Sequence, residues 1–367
     1  MKKIRVMVVD DSAFMRKVIS DIVSKTSFLE IAGTARDGND ALVKIKELKP
    51  DVVTMDVEMP GMDGIEAVGK IMKEQPTPIV MLSSLTHEGA EATVAALANG
   101  AVDFIPKPGP SISLNMHEIE NELIEKILIA SKINVARLKT NVRYTELPTQ
   151  KKAEKIEQTS KPSLARTILG KQDFTIVLIG TSTGGPKALH EVVSRIDIAS
   201  SAAAFLIVQH MPAGFTASLA ARLNRLTDYT VKEAEDGEAI SPGNIYIAPG
   251  GFQMEINAQG DKNRLNLKVH KGEQVTGHRP SVDALFLSAA RKNYPKTVAV
   301  IMTGMGHDGM RGMIELKKNN CITIGEAEET CVVYGMPKSA IEAGCVDKVV
   351  PLEKIANEIK VAVNSMP

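Results

Sequence analysis

The sequence predicts two α/β domains, each built around a mainly parallel sheet. Three observations support this fold class. The chain has 367 residues, which is too long for one ordinary core. Continuous apolar runs alternate with helix-length segments in both halves, a pattern typical of strands that are buried on both faces. The region 139–172 is polar and poor in large apolar side chains. We therefore predict domains at 1–138 and 173–367, joined by this polar linker.

The first domain is predicted from short buried strands that alternate with crossover helices. The strand-like runs are Val6–Val9, Val52–Met55, Ile79–Leu82 and Val102–Ile105. The helix-like segments are Phe14–Val23, Gly38–Leu48, Gly64–Lys73, Gly89–Ala98 and the amphipathic stretch Ile119–Ala136. Strand and helix in regular alternation predict a parallel sheet.

The second domain repeats this alternation. The buried-strand candidates are Phe174–Ile179, Phe205–Val208 and Val298–Met302. Three further segments predict a strand and a hairpin on the edge of the sheet: Ile245–Ala248, Met254–Ile256 and Leu265–Val269. The helix-like segments are Pro186–Ile196, Ala217–Leu226, Val282–Lys292, Met310–Lys317 and Leu352–Asn364. This domain is also predicted to be α/β.

Composition narrows the function classes. The formal net charge is zero, so nothing favours nucleic acid or an anionic membrane as a partner. No apolar run approaches the roughly 18 residues that a membrane span needs. The cysteines Cys321, Cys331 and Cys345 are odd in number and lack a metal-ligand spacing, which is typical of free thiols in a reducing compartment. We therefore expect a cytoplasmic protein with no signal peptide and no membrane insertion.

A first set of reactive residues follows the strands of the first domain. Asp10 and Asp11 end the first run, and Asp56 ends a later one. Reactive groups collect at the carboxyl ends of parallel strands, so these carboxylates are expected to converge there. Converging carboxylates repel one another, and oxygen ligands of this kind suit Mg²⁺. Lys107 would supply a fixed positive charge, and Ser83 a hydroxyl for a phosphoryl oxygen.

These five residues in this order resemble the receiver domain of two-component response regulators. The resemblance covers about residues 1–125 and includes Met-Pro-Gly-Met-Asp-Gly at 59–64 and the Lys107-Pro108 pair. It implies a flavodoxin-like (βα)5 fold. It also implies that Asp56 is the phosphoacceptor and that Mg²⁺ is the cofactor for phosphorylation. The ligands would be Asp11, Asp56 and the backbone carbonyl of Glu58, with Asp10 behind them.

The same resemblance implies the parts of a switch. Ser83 would be the switch hydroxyl and Lys107 the phosphate contact, with a cis bond before Pro108. Many receivers place an aromatic residue close to this lysine, whereas this chain has Phe104 three positions earlier.

A second set of reactive residues lies in the second domain. Gly-Thr-Ser-Thr-Gly-Gly-Pro at 180–186 follows a strand-like run and precedes a helix. One interpretation is a phosphate or dinucleotide loop, although the Gly-Lys-Ser/Thr and G-x-G-x-x-G patterns are both absent. A second is the nucleophile elbow of an α/β-hydrolase, which matches G-x-S-x-G but lacks the strands and the residue order of that fold.

The third interpretation is a Ser-His-Asp hydrolase of another topology. Ser182 would be the nucleophile, His210 the base, and Asp308 the group that orients the base, each just after a strand-like run. Such triads occur on unrelated folds in different chain orders. His307 lies beside Asp308, and spacing alone does not exclude it as the base.

Four motifs together resemble the catalytic domain of chemotaxis protein-glutamate methylesterases. They are Gly180-Thr-Ser-Thr-Gly-Gly-Pro186, Gln209-His-Met-Pro212, Gly277-His-Arg-Pro-Ser-Val-Asp283 and Thr303-Gly-Met-Gly-His-Asp-Gly309. The resemblance implies a doubly wound, mostly parallel domain in which Ser182, His210 and Asp308 form the triad. It places Thr183 and Met305 close to the site and Arg279 and Ser281 in its cleft, with no cofactor there.

The resemblance, which covers receiver, linker and catalytic domain in this order, also implies a function. The substrates would be glutamate γ-methyl esters, and particular glutamines, on the cytoplasmic domains of methylated chemoreceptors. The unphosphorylated receiver would pack over the catalytic cleft, and phosphorylation of Asp56 by a chemotaxis histidine kinase would weaken that packing. The alternative from another class is a non-enzymatic adaptor that docks on receptors, and turnover that depends on Ser182 would separate the two.

Overall fold

The architecture was obtained from a computed structural model that describes residues 2–107, 116–135, 174–257 and 265–366. The predicted linker at 139–172, both domain boundaries beside it and the peptide bond before Pro108 lie outside the described residues. Within the described ranges, no helix combines the length and the apolar character that a membrane crossing needs.

The first domain is a (βα)5 fold around a five-stranded sheet, as predicted. Its strands are β1 Ile4–Val9, β2 Leu29–Ala35, β3 Val52–Asp56, β4 Ile79–Ser83 and β5 Asp103–Pro106. Its helices are α1 Ala13–Lys25, α2 Gly38–Leu48, α3 Gly64–Glu74, α4 His87–Ala98 and α5 Met116–Ser131. The strand order is β2-β1-β3-β4-β5, and every pair is parallel.

Side-chain caps explain where the first four helices begin. Ser12, Asp37, Asp63 and Thr86 each accept a hydrogen bond from the backbone N–H three residues further on. Such caps satisfy one of the free N–H groups at a helix start. These helix starts all follow strands, so the caps help to shape the edge of the sheet where Asp10 and Asp56 lie.

Strand β2 was missed among the apolar runs. It lies at the edge of the sheet, and only its first and last residues, Leu29 and Ala35, are fully buried. An edge strand needs less apolar surface than a central one, so its sequence lacks the continuous run that identified its neighbours.

The second domain is built on a seven-stranded sheet in which every pair is parallel. The order is β14-β13-β12-β6-β7-β9-β8. The strands of the domain are β6 Thr175–Thr181, β7 Ala203–Gln209, β8 Thr230–Glu233, β9 Asn244–Ile247, β10 Gln253–Ile256, β11 Leu267–His270, β12 Thr297–Ile301, β13 Ile322–Glu326 and β14 Lys348–Val350. Its helices are α6 Gly185–Val193, α7 Phe215–Leu223, α8 Val282–Lys292, α9 Met310–Lys318, α10 Met336–Glu342 and α11 Leu352–Ser365.

Helices cover both faces of this sheet, which explains the continuous apolar runs. In β6, Val177 and Ile179 are buried in one cluster with residues of α6, α7 and α11. Ile176 and Leu178, which alternate with them, are buried in a second cluster with residues of α8 and α9. Successive side chains of a strand point to opposite faces, so a strand between two helical layers must be apolar at every position.

The predicted edge position of the hairpin is wrong. Strands β10 and β11 pair with each other as a separate two-stranded antiparallel sheet, and β8 is the edge strand beyond β9. The hairpin instead packs on α8, where Met254, Ile256 and Leu267 are buried with Leu285 and Phe286. The apolar pattern identified the hairpin correctly. Its position depends on its packing against α8, which the pattern does not show.

The remaining missed elements are short or interrupted by polar residues. Strand β13 has the sequence Ile-Thr-Ile-Gly-Glu, and β8 and β14 have four and three residues. None of them presents the apolar run that identifies a buried strand.

The two domains are in contact through apolar surfaces. Helix α4 of the first domain packs against α6 and α7 of the second. The rings of Phe104 and Phe215 lie 4.4 Å apart between centroids, and both side chains are buried. Asp103 of the first domain bonds to Thr183, two residues beyond the end of β6, so this part of the first domain lies at the carboxyl edge of the larger sheet.

Candidate active site and phosphoacceptor site

Three neighbouring strands bring Ser182, His210 and Asp308 together. Ser182 follows β6, His210 follows β7, and Asp308 lies in the loop between β12 and α9. Strand β6 pairs with β7 on one side and with β12 on the other, so the chain changes direction across the sheet at this point. Open α/β sheets bind ligands in the crevice at such a switch point.

The three side chains form a continuous hydrogen-bonded chain. His210 Nδ1 lies 3.2 Å from Ser182 Oγ, and His210 Nε2 lies 2.8 Å from Asp308 Oδ2. The carboxylate accepts hydrogen bonds, so Nε2 carries the proton and Nδ1 is left to accept one from the serine. The two ring nitrogens therefore have the reverse of the roles described for the Ser-His-Asp template.

Asp308 is held by four donors besides His210. Its Oδ1 accepts from Thr276 Oγ at 2.7 Å, Ser281 Oγ at 2.9 Å and Asp283 N at 3.0 Å. Its Oδ2 accepts from Val282 N at 2.7 Å. Burial alone would raise the pKa of Asp308, but the bonds from His210 and these donors hold it well below the usual range. The carboxylate also lies at the start of α8, where the helix dipole favours an anion.

The loop that carries Ser182 needs glycines because its surroundings are crowded. A Cβ on Gly185 would lie 1.9 Å from Gln209 Oε1, and one on Gly180 would lie 2.3 Å from Val282 Cγ1. Gln209 Nε2 donates to the Ser182 carbonyl at 2.9 Å. Sequence reasoning assigned no role to Gln209, although it stands beside His210 in the motif at 209–212. It fixes the nucleophile loop against β7.

The structure distinguishes His210 from His307, the two histidines that the sequence left as possible bases. His210 contacts both Ser182 and Asp308, whereas the side chain of His307 is exposed. Met305 lies half-buried in the same loop as Asp308. The exposed Arg279 donates through Nη1 to the Gly272 carbonyl at 2.8 Å. Its assignment to the cleft stays a prediction.

Thr183 lies at the boundary with the first domain. Its Oγ donates to Asp103 Oδ2 at 2.5 Å, and its carbonyl accepts from Thr303 Oγ at 2.9 Å. Asp103 is also paired with Lys126, whose Nζ lies 3.2 Å from Oδ1. A carboxylate of the first domain therefore contacts the residue next to Ser182.

Sequence reasoning also missed His278, although it stands within the quoted motif at 277–283. Its ring stacks on the His210 ring with centroids 3.8 Å apart and an angle of 17° between the planes. Spacing could not reveal this contact, because it depends on how the turn folds over the end of β7.

The first domain brings together the three aspartates that were expected to converge. Oxygens of Asp10, Asp11 and Asp56 all lie within 4.8 Å of one another. Lys107 Nζ lies 2.6 Å from Asp56 Oδ2 and 3.2 Å from Asp10 Oδ2. Burial raises the pKa of Asp56 to about 6, with Lys107 opposing the shift and Asp10 adding to it. Burial also acts to lower the pKa of Lys107, but Asp56 and Asp10 outweigh it and raise that pKa.

This donor set fits Mg²⁺. Two of the carboxylates are buried, Asp11 is exposed, and Asp10 Oδ2 has no hydrogen-bond donor in good geometry despite its burial. Hard oxygen ligands with an open side suit an ion that keeps several waters. Glu58 donates its backbone N–H to Asp56 Oδ1 at 3.2 Å. Its carbonyl stays a predicted ligand.

Ser83 is engaged with α4. Its Oγ accepts from Thr93 Oγ at 2.5 Å and lies 3.1 Å from the Gly89 carbonyl. Helix α4 packs against α6 and α7, so the hydroxyl contacts the same helix that contacts the second domain. Phe104, the aromatic residue three positions before Lys107, packs on Phe215 of the second domain.

Known proteins match both halves of the chain. A family model described as response regulator receiver domain matches residues 6–117, and one described as CheB methylesterase matches 177–359. A "Protein-glutamate methylesterase/protein-glutamine glutaminase" of Halalkalibacterium halodurans is 51% identical over 359 residues, covering 97% of each chain. A protein of the same name from Pyrococcus abyssi is 47% identical over 362 residues, covering 99% of this chain and 94% of the relative. The solved catalytic domain of Thermotoga maritima CheB methylesterase is 42% identical, with a TM-score of 0.48, covering 52% of this chain and 98% of that domain.

Proposed function

The chain belongs to the CheB family of protein-glutamate methylesterases and protein-glutamine glutaminases, and from this premise we propose its substrates, mechanism and control. The proposed reaction is hydrolysis of glutamate γ-methyl esters, and deamidation of particular glutamines, on the cytoplasmic domains of chemoreceptors. One observation carries the proposal: Ser182, His210 and Asp308 form one hydrogen-bonded chain at the switch point of the sheet. A cytoplasmic location is proposed with it.

The first half of the reaction forms an acyl-enzyme. Ser182 Oγ attacks the side-chain carbonyl, and His210 Nδ1 accepts the hydroxyl proton. His210 is then an imidazolium, and Asp308 stabilises it through Nε2. Backbone N–H groups near the start of α6, just after Ser182, would bind the oxyanion.

The second half releases the product. As the acyl-enzyme forms, His210 donates its proton to the leaving methanol or ammonia. Water then attacks the acyl group with His210 as base, and His210 returns that proton to Ser182 Oγ as the glutamate side chain is released. Ester and amide side chains pass through the same tetrahedral intermediate, so one triad serves both substrates. The side chains and backbone groups named here carry every step, and the proposal assigns no metal to this site.

Control is proposed to come from the first domain. Asp103 and Phe104 contact Thr183 and Phe215, so a docked receiver covers the residue next to the nucleophile. Phosphorylation of Asp56 by a chemotaxis histidine kinase would draw the Ser83 hydroxyl toward the phosphoryl group and away from α4. The shift can be only as large as the difference in contacts between the two states.

Mg²⁺ is the proposed cofactor of the phosphorylation step. Asp11, Asp56 and the Glu58 carbonyl would hold it, and it would screen the attacking carboxylate and the transferred oxygens. Lys107 would contact the phosphoryl group, since its Nζ already lies 2.6 Å from Asp56 Oδ2. The proposed function thus has two parts, phosphorylation at Asp56 and hydrolysis at Ser182, which can be tested separately.

The experiment measures methanol release from a methylated chemoreceptor cytoplasmic fragment, with and without a small phosphodonor plus Mg²⁺. We expect the donor to accelerate the wild type, Ser182→Ala to be inactive, and Asp56→Ala to be active but insensitive to the donor. Ser241→Ala, at an exposed serine just before β9, is the matched control. No release by a folded wild type in either condition would contradict the esterase and favour the adaptor.

A further inference from the structure

The turn at 275–278 carries a side chain that contacts the proposed base. Val275 and His278 exchange backbone hydrogen bonds of 3.1 and 2.9 Å, which closes the turn. The His278 ring then lies on the His210 ring, 3.8 Å away between centroids and 17° from parallel. The remaining surroundings leave His278 half-buried.

We propose that His278 is a positioning residue for the reaction: its ring holds the His210 ring in the plane that directs Nδ1 at Ser182. This inference rests on the esterase mechanism proposed above. The His210 ring is otherwise held by the contacts of its two nitrogens, Nε2 with Asp308 and Nδ1 with Ser182. Both contacts are made at the edge of the ring, so neither supports its face. A parallel ring on that face supplies this support.

A second contact anchors the turn to the triad. Thr276 Oγ donates to Asp308 Oδ1 at 2.7 Å, and Gln253 Nε2 donates to the His278 carbonyl at 3.0 Å. Thr276 has a φ of +52°, which is unfavourable for a β-branched residue. Such a conformation persists when the surroundings over-determine it, and here it places one residue on the acid and another on the base.

The charge state of His278 suits this role. Burial, and then the nearby His210 and His307, lower the pKa of His278 to about 4, while Asp308 acts in the opposite direction. The ring is therefore neutral near pH 7. A neutral ring does not repel the imidazolium that His210 becomes during the reaction, and it keeps water from one face of that ring.

The test compares rings with non-rings at position 278 in the full chain, activated with phosphodonor and Mg²⁺. His278→Phe keeps a flat ring, and His278→Leu fills space without one. We expect His278→Phe to remain within about threefold of the wild-type kcat and His278→Leu to lose about tenfold or more, since small losses of alignment are expensive in catalysis. KM for the methylated receptor fragment should change by less than about twofold, because the proposed role is in the chemical step.

A second readout needs no receptor. The rate at which a fluorophosphonate labels Ser182 reports the activated nucleophile directly, and it should follow the same order. His307→Ala, an exposed histidine near the site, is the control and should label at the wild-type rate. Thermal unfolding identifies a variant that fails to fold, and His278→Asn then replaces His278→Leu in the comparison.

Three results would overturn the inference. They are equal kcat for His278→Phe and His278→Leu, a loss confined to KM, and equal labelling rates in all folded variants. If the folded, activated wild type is not labelled at Ser182, the proposed function fails and this inference fails with it. Labelling that requires Ser182 but ignores position 278 removes the inference alone.

Discussion

The two domains shift the pKa of a buried aspartate in opposite directions. Asp56 ends a central strand of the smaller sheet, and Asp308 follows a central strand of the larger one. Both are almost fully buried, yet the pKa of Asp56 is raised to about 6 and that of Asp308 is lowered. Burial acts in the same direction on both carboxylates, so the difference must come from their partners.

The partners explain the difference. Asp308 accepts four hydrogen bonds from the 276–283 segment in addition to the one from His210. Asp56 has the Lys107 ammonium and the Glu58 N–H, but a second buried carboxylate, Asp10, lies beside it. The surroundings of Asp308 stabilise its ionised form. The surroundings of Asp56 leave excess negative charge, which a cation or a phosphoryl transfer can relieve.

The largest expected effect comes from removing the negative charge of Asp308. In Asp308→Asn an amide N–H₂ must face donors, and His210 loses the acceptor that sets its tautomer. We expect the rate of methanol release to fall by about a thousandfold or more. The measurement is the initial rate with phosphodonor present, alongside thermal unfolding. A folded variant within tenfold of the wild type would show that the five bonds to Asp308 are structural only.

The next prediction concerns the cluster of Asp10, Asp11 and Asp56 in the first domain. Asp11→Asn removes one negative charge from the three-carboxylate cluster, so Mg²⁺ binding should weaken by about tenfold or more. The measurement is the Mg²⁺ concentration needed for half-maximal phosphorylation of Asp56 by a small phosphodonor. Asp21→Asn, an aspartate that pairs with Lys17 on α1, is the matched control. An unchanged Mg²⁺ requirement would remove Asp11 from the ligand set.

A third prediction tests the contact between Asp103 of the first domain and Thr183 beside the triad. Asp103→Asn weakens the charge-assisted bond to Thr183, which is worth roughly 1.5 kcal/mol or more. Basal methanol release without phosphodonor should rise by about tenfold, while release with phosphodonor should change little. Glu122→Gln removes the other carboxylate paired with Lys126, which makes no bond to Thr183, and should leave the basal rate unchanged. Equal basal rates in both variants would separate this contact from control.

The smallest effect concerns another buried carboxylate, Glu326. It accepts from Thr303 N at 2.8 Å and Thr330 Oγ at 3.0 Å, and burial raises its pKa to about 7. A raised pKa means that the folded state binds more protons, so stability falls as the pH rises from 4.5 through 7. Glu326→Gln has no charge to bury, and its stability relative to wild type should increase by about 2 kcal/mol between pH 5 and pH 8.

Urea midpoints at the two pH values measure this difference. Glu315→Gln, which lies on the surface in a pair with Lys318, is the control and should show no such dependence. A Glu326→Gln variant whose advantage over wild type is the same at pH 5 and pH 8 would show that Glu326 keeps its charge in the folded protein.

The central strands that were identified from sequence share one property. Strands such as β6 and β7, buried on both faces, need apolar residues at every position, so the chain itself displays them. Edge strands such as β2 and β8 are only partly buried, and they were missed. The hairpin β10–β11 was recognised from its pattern, but its packing on α8 was not.

The sequence by itself determined the chemistry at each strand end: which carboxylates, which serine and which glycines follow the buried runs. These are local properties, because a strand that ends at a reactive residue is visible in a few neighbouring letters. The tertiary structure alone decided which of these residues meet. His210 and Asp308 are 98 positions apart and touch because β6 lies between β7 and β12. The choice of His210 over His307, the ring of His278 and the opposite pKa shifts of Asp56 and Asp308 all follow from that arrangement, since they depend on contacts between distant segments.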